Sequence, residues 1–223
     1  MKTSIIFILL YYSLSTYAND YTVGSGSEYK MVLNKSNTVH LAIYVSQSIF
    51  EKLGVEMYMK SNDMLSPEMW QQFIFKMDVG GNFPLKITEA YFQTSTLKIA
   101  ERIPYEAMIR KQDGITLDNF FFTKQKEIDK DKIKDETIEV AAGQIKTTHY
   151  RKKRDGQTID FWIAESIKPI SLVKLVSTSS KKDENNYTIE LTTLISGVRP
   201  HINPDKSAPL SKEGADILSI KKH

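Results

Sequence analysis

Cysteine is absent from all 223 residues. That excludes disulfide staples and a lipoprotein acylated at cysteine, and it leaves burial alone to hold the chain together. Histidine is scarce. His40, His149, His201 and His223 show no H-E-x-x-H and no other close ligand spacing. There is no G-x-S-x-G elbow and no glycine-rich phosphate loop, so the sequence names no catalytic residue, no metal ligand and no cofactor. An excess of either charge is also missing. Thirty Lys and Arg stand against 27 Asp and Glu, a formal net charge of +3, which argues against a general nucleic-acid binder. No apolar run approaches the roughly 20 residues a membrane-spanning helix needs. The expectation is a protein that is not an enzyme.

What is present begins with Met1-Lys2, a positive start, followed by a short apolar run over Ser4 to Leu14. The run closes on Thr16-Tyr17-Ala18, with small residues at the −3 and −1 positions that a signal peptidase reads. The expectation is a secretory signal over residues 1–18, export, and a periplasmic rather than extracellular destination. Removing 18 from 223 leaves 205 residues, enough for one large domain. Residues 19–28 read as a flexible lead-in, 29–197 as one β-rich domain, and 198–223 as an irregular tail punctuated by Pro200, Pro204 and Pro209.

Period-two alternation dominates the domain. Val39, Leu41, Ile43 and Val45 alternate with polar or small partners, as do Val55, Met57 and Met59, and both stretches read as half-buried strands. Ser48 to Gly54 between them fits either a helical turn or a longer hairpin connection. Leu65 to Gly81 supports two readings. Ser66-Pro67 makes a helix start, with Trp70, Phe73, Ile74 and Met77 on one helical face, while Phe73, Phe75 and Met77 share one side of a strand. Further strand signals fall at Leu85–Phe92, Thr96–Ala100, Ile115–Leu117 and Phe120–Phe122. Lys124 to Glu136 reads as a charged, solvated connector. Its Asp129-Lys130-Asp131 lacks the glycine and the terminal glutamate of a calcium loop. Tyr187, Ile189, Leu191, Thr193 and Ile195 make one more long strand, and Ile217 to Ile220 a last short one.

Arg151-Lys152-Lys153-Arg154-Asp155-Gly156 places four cations before Asp-Gly, a strong hairpin signal because glycine takes positive φ without steric cost. The alternation resumes on the return strand with Ile159, Phe161 and Ile163. Two readings of Arg151, Lys152, Lys153 and Arg154 stay open: cheaply solvated charge at a hairpin tip, or a contact for an anionic membrane surface. His149 reads as a hydrogen-bonded structural residue, and Trp70 and Trp162 as packing residues.

The succession Val140-Ala141-Ala142-Gly143-Gln144-Ile145-Lys146, Thr148-His149-Tyr150, Phe161-Trp162-Ile163-Ala164 and Pro169-Ile170-Ser171-Leu172-Val173-Lys174 resembles the C-terminal half of bacterial periplasmic proteins of the lipoprotein-localisation-factor superfold, mainly over residues 136–196. The resemblance implies an unclosed antiparallel barrel around an apolar cavity that holds acyl chains or lipoproteins. None of that family's functional residues maps onto this chain. The fold class expected is mainly β within α+β: a curved antiparallel sheet forming an unclosed barrel, with one or two short helices. Two functions follow as expectations. One is an exported protein holding a lipid, acyl chain or lipoprotein in a cavity lined by Ile159, Phe161 and Ile163. The other is a non-catalytic envelope component with a solidly packed core, acting through protein contacts.

Overall fold

The structure is a computed structural model that describes residues 21–33, 37–49, 52–63, 65–76, 86–104, 129–154, 156–180 and 186–218. The expected signal sequence and the strands at 115–122 lie outside the described residues.

The described strands are β1 (Gly26–Leu33), β2 (Asn37–Ile49), β3 (Lys52–Ser61), β4 (Met69–Lys76), β5 (Lys86–Thr94), β6 (Glu101–Arg102), β7 (Lys132–Val140), β8 (Gly143–Arg154), β9 (Gln157–Ile163), β10 (Leu172–Ser179), β11 (Tyr187–Ile195) and β12 (Ala208–Pro209), followed by a short helix, α1 (Lys212–Ile217). They form one curved, unclosed sheet in the order β12-β6-β5-β4-β3-β2-β1-β11-β10-β9-β8-β7. The mainly β, open-barrel expectation holds. One wing runs outward from β1 to β6. The other returns from β7 to β11, and β1 joins them by pairing with both β2 and β11.

The seam shows why the sequence folds this way. Tyr29 stands opposite Leu41 on one side and Leu191 on the other, and Leu41 in turn faces Met59. All four are buried in a single apolar row across four strands. The same alternation repeats in β2, where Val39, Leu41, Ile43 and Val45 all point into the core. Register shifts in β1, β2, β4, β7 and β10 interrupt the ladders, and such bulges bend a strand and raise its twist.

Residues 69–76 are strand, which settles the open choice at Leu65 to Gly81. The helical-looking pattern arose because β4 is covered on both faces. Phe73 and Phe75 enter the main core, while Ile74 joins a second apolar cluster with Tyr91, Ala100 and Ile202 on the opposite face. Burial on both sides blurs the period of two.

Four expectations are corrected. The lead-in over residues 19–28 is already ordered at its end, since β1 starts at Gly26 and Ser27 is fully buried. Gly26 lies so close to Ile43 and Tyr44 that a Cβ there would collide with both. Thr96–Ala100 is a turn rather than a strand, leading into the two-residue β6. The solvated connector gives way at Asp129–Asp131 to a 3-10 turn and from Lys132 onward to β7, whose exposed charged side chains suit a sheet edge. The tail after Gly197 is not irregular throughout. It supplies β12, parallel to β6, and α1 in place of the strand expected around Ile217. Leu210, Ile217 and Leu218 pack on the main core.

Candidate functional site

The β8–β9 hairpin is tight. Arg154 pairs with Gln157, so two residues close the turn, and Gly156 adopts φ +81° as the Asp-Gly signal requires. Strand pleating separates the basic residues. Arg151 and Lys153 are exposed on the face of His149, whereas Lys152 is half-buried on the face of Tyr150. Arg151 is already engaged, its Nε donating to Asp160 Oδ1 at 2.7 Å. Lys153 borders a polar concavity of about 640 Å³ with Gly156, Gln157 and Thr178. Arg154 ends β8. On the other face, Ile159 and Phe161 are buried in the main core, Phe161 stacks on Tyr150 at 5.2 Å, and Ile163 is half-buried against the same core.

The polar face of this hairpin gathers a charged network that the basic run did not announce. Register sets His149 beside Trp162, and their rings stack at 4.3 Å and 14°. His149 Nε2 lies 2.6 Å from Asp160 Oδ1, and Nδ1 lies 3.3 Å from Glu136 Oε1. The Trp162 indole N–H donates to the same Glu136 oxygen at 2.9 Å, and Lys134 Nζ lies 2.8 Å from Glu136 Oε2. The Lys134 ammonium, followed by the Trp162 donor, holds the Glu136 carboxyl below the usual carboxylate range. His149 is thus a buried imidazole set between carboxylates on β7 and β9 and hydrogen-bonded to the one on β9. Nε2 meets the Asp160 carboxylate in a hydrogen bond, while Nδ1 lies near Glu136 without one.

A second constellation, on the other wing, lies where β2, β3 and β4 meet the C-terminal segment. Glu56 is completely buried. Its Oε1 accepts from the Tyr44 hydroxyl at 2.5 Å and from the His201 backbone N–H at 2.8 Å. Its Oε2 accepts from the Ile202 N–H at 3.0 Å and from Gln72 Nε2 at 3.3 Å. Gln72 Nε2 also reaches the Ile202 carbonyl at 3.3 Å. The His201 ring stacks on Trp70 at 3.9 Å and 10°, and Tyr58 packs against the same indole at 5.2 Å. Ile202 fills the second apolar cluster with Ile74, Tyr91 and Ala100. Burial raises the Glu56 carboxyl above its ordinary range, and this outweighs the lowering by the Tyr44 hydroxyl, the His201 and Ile202 amides and the His201 charge. Tyr91 is pushed up to about 12, first by burial and then by its bond to Glu89.

Farther along the segment, Glu101 Oε2 accepts the Ser211 N–H at 2.9 Å, and Ser211 caps α1 by accepting from Gly214 N–H at 3.0 Å. Gly214 lies against the Glu101 carboxylate and the Phe92 ring, where any Cβ would collide. Among the described residues no group of three His, Asp or Glu side chains is arranged to hold a metal ion.

Sequence reasoning missed Glu56, Glu101, Glu136 and Asp160. Asp160 carried a usable signal: it alternates with Ile159 and Phe161, and the Asp-Gly turn fixes it across from Arg151, next to His149. Glu56 carried none. Between Val55 and Met57 it looks like an ordinary wet-face residue, because the segment that buries it lies 145 residues away.

No protein-family description matches the chain, and no curated protein does. Among solved structures, it is similar to a candidate exported protein with a YmcC-like fold from Bacteroides fragilis, at 13% identity and a TM-score of 0.37 over 78% of this chain and 96% of that one. It is also similar to a candidate lipoprotein from Parabacteroides distasonis, at 10% identity and a TM-score of 0.35 over 80% and 98%. A hypothetical protein from Chlamydia trachomatis aligns at 8% identity and a TM-score of 0.31 over 85% and 93%. At these values the likeness assigns neither a family nor a function.

Proposed function

We propose that this chain is an exported, non-catalytic component of a bacterial envelope that acts through contacts of its outer surface around a solidly packed interior. The observation that carries this reading is the state of the inward faces. Ile43, Val45, Leu53, Val55, Met57, Phe73, Phe75, Phe92, Ile159, Val173 and Leu191 have no accessible surface at all. These side chains, drawn from both wings, pack against one another in one apolar cluster. Carriage of a lipid or acylated partner requires the opposite, a continuous apolar cavity that buries most of the ligand. For Ile159 and Phe161 to line one, the two wings would have to part. Export rests on the Lys2 charge, the short apolar run and the Thr16-Tyr17-Ala18 site. The non-catalytic reading is supported by the acids of the two polar constellations, since Glu56 is taken up by Tyr44 and two backbone amides and Asp160 by His149 and Arg151.

Native mass spectrometry of the mature protein purified from its host envelope separates these readings. A stoichiometric protein partner and no bound lipid is the expected result. Co-purifying lipid or acyl chain at one equivalent would overturn the packed-interior reading and restore the carrier.

A further inference from the structure

The C-terminal segment crosses the exterior of the sheet as a strap. It leaves β11, is tied by the Val198 N–H to the Gly24 carbonyl at 3.1 Å, passes over Glu56 at His201-Ile202, and re-enters the fold at β12. Its middle is held by main-chain hydrogen bonds together with the His201 ring on Trp70 and the Ile202 side chain in the second apolar cluster. Two consecutive amides point at one carboxyl group, and the Ile202 carbonyl that follows them receives the Gln72 amide. A wholly buried carboxylate is a costly way to anchor two amides unless the group can also exist as the neutral acid.

The geometry supplies a place for that proton. Glu56 Oε1 and the Tyr44 hydroxyl are 2.5 Å apart, and a hydroxyl both donates and accepts. With Glu56 ionised, Tyr44 donates to it. With Glu56 neutral, the acid proton points to the Tyr44 oxygen, while the remaining lone pairs still accept from His201 and Ile202. The seated strap therefore keeps both of its amide bonds in either form, with the Tyr44 hydroxyl hydrogen turning away when the acid is neutral.

We infer that the strap is a proton-linked latch: Glu56 takes up a proton from solvent when His201-Ile202 seats over it and returns that proton when the strap lifts. Lifting returns Glu56 to water and uncovers Trp70, Ile74, Tyr91 and Ala100, an apolar patch on the outer surface. The surrounding groups are few. Tyr44 faces Glu56 from β2, Tyr58 from β3 beyond Trp70, and Tyr91 from β5 with Glu89 and Arg102 behind it, while His201 and Asp205 belong to the strap itself. Of these, His201 lowers the Glu56 carboxyl through its charge, opposing burial, and the net direction remains upward.

The sign follows from linkage. A carboxyl whose midpoint is higher with the strap seated than lifted favours the seated form at low pH. Seating then weakens as pH rises between the lifted and seated midpoints, by up to about tenfold per pH unit for one proton, and levels off above the seated midpoint. This inference stands whether or not the surface-contact function does, because it concerns only the seating equilibrium.

The test is NMR of the full chain. The Glu56 side-chain carboxyl carbon should titrate above the ordinary glutamate range, and the His201 and Ile202 amide protons should follow with the same midpoint. After correction for intrinsic exchange, hydrogen-exchange protection of those two amides should fall up to tenfold per pH unit across the window. In Glu56→Gln it should be independent of pH. In Ile202→Ser, which loosens the strap, the Glu56 midpoint should drop toward the ordinary value. A Glu56 carbon that titrates in the ordinary range in the wild-type protein, or strap amides indifferent to its titration, would overturn the latch. The wild-type titration decides the matter alone if either variant fails to fold.

Discussion

The molecule builds a stacked tryptophan–histidine pair twice, once in each wing, and the two are assembled in different ways. Trp162 and His149 meet because β8 and β9 are consecutive strands of one tight hairpin, and Glu136 and Asp160 join them from β7 and β9. All of the participants lie within one continuous meander. Trp70 and His201 meet only because the chain, after finishing the second wing, crosses back over the first and is fastened there by Glu56. The first network is half-open to water and ties neighbours that backbone pairing already holds together. The second turns on the wholly buried Glu56, although its own rings, an exposed His201 and a half-buried Trp70, lie toward water, and it closes a loop of more than a hundred residues. The same ring geometry therefore contributes to stability to very different extents, and a fastening between distant segments depends on a buried polar group where a local one does not.

The strongest way to break this comparison is to remove the hairpin's inward face rather than its polar one. Phe161→Asp places a charge in the main core and deletes a stacked ring. It should cost more than about 4 kcal/mol, which is enough to prevent folding of many domains. Chemical denaturation followed by circular dichroism measures this. A folded variant of wild-type stability would show that the strand's inward and outward faces are reversed.

Glu56→Ala set beside Asp160→Ala sharpens the comparison directly. Losing Glu56 leaves two strap amides and the Tyr44 hydroxyl without their acceptor in a dry site and leaves the Gln72 amide only the Ile202 carbonyl, and about 3 kcal/mol of destabilisation is expected. Losing Asp160 releases His149 and Arg151 at a partly solvated site, where about 1 kcal/mol is the expected scale. Equal denaturation midpoints for the two variants would remove the distinction between the wings.

This asymmetry also governs what could be read in the sequence. The strands of β2, β3, β9 and β11, the Asp-Gly turn and the inward faces of Ile159 and Phe161 were legible because period-two alternation and turn chemistry act over a few residues. Residues 65–76 stayed ambiguous because the strap covers the outer face of β4 and makes Ile74 as buried as Phe73 and Phe75. The role of Glu56 was illegible for the same reason. Charge led the reading astray at Lys132–Glu136, where a dense charged run expected to be a connector is the first part of the edge strand β7. It also drew attention to Arg151–Arg154 and away from Asp160 and Glu136, the acids that organise that surface.

A smaller effect belongs to the turn that makes the local network possible. Gly156 holds φ +81°, a conformation β-branched residues tolerate badly, so Gly156→Val should destabilise the chain by about 1 kcal/mol or somewhat more. Because the turn sets the register that brings His149 to Trp162, indole fluorescence should change as well. Trp70→Phe in the background isolates the Trp162 signal. An unchanged midpoint together with unchanged emission would show that the hairpin register does not depend on this glycine.

The smallest effect is expected from the feature most conspicuous in the sequence. Replacing Arg151, Lys152, Lys153 and Arg154 together with Ser should change stability by no more than about 1 kcal/mol, because exposed charges contribute little each. Most of that change should come from Arg151, the residue whose bond to Asp160 is lost. The pleat bears on the membrane-contact reading too. With Arg151 occupied by Asp160 and Lys152 on the opposite face from Lys153, these three residues present no single cationic surface, whereas clustered cations at an anionic membrane contribute about 1 kcal/mol each. Sedimentation with vesicles rich in phosphatidylserine should therefore show weak retention that differs little between the wild-type and quadruple-Ser chains. Strong wild-type retention that fades as salt shortens the reach of the charges, from about 30 Å at 0.01 M to 10 Å at 0.1 M, and that disappears in the Ser variant, would establish the hairpin tip as a membrane contact. It would also mean that Arg151 leaves Asp160 on binding. His149 would then keep that carboxylate to itself, and the local network would have a function beyond tying its own strands.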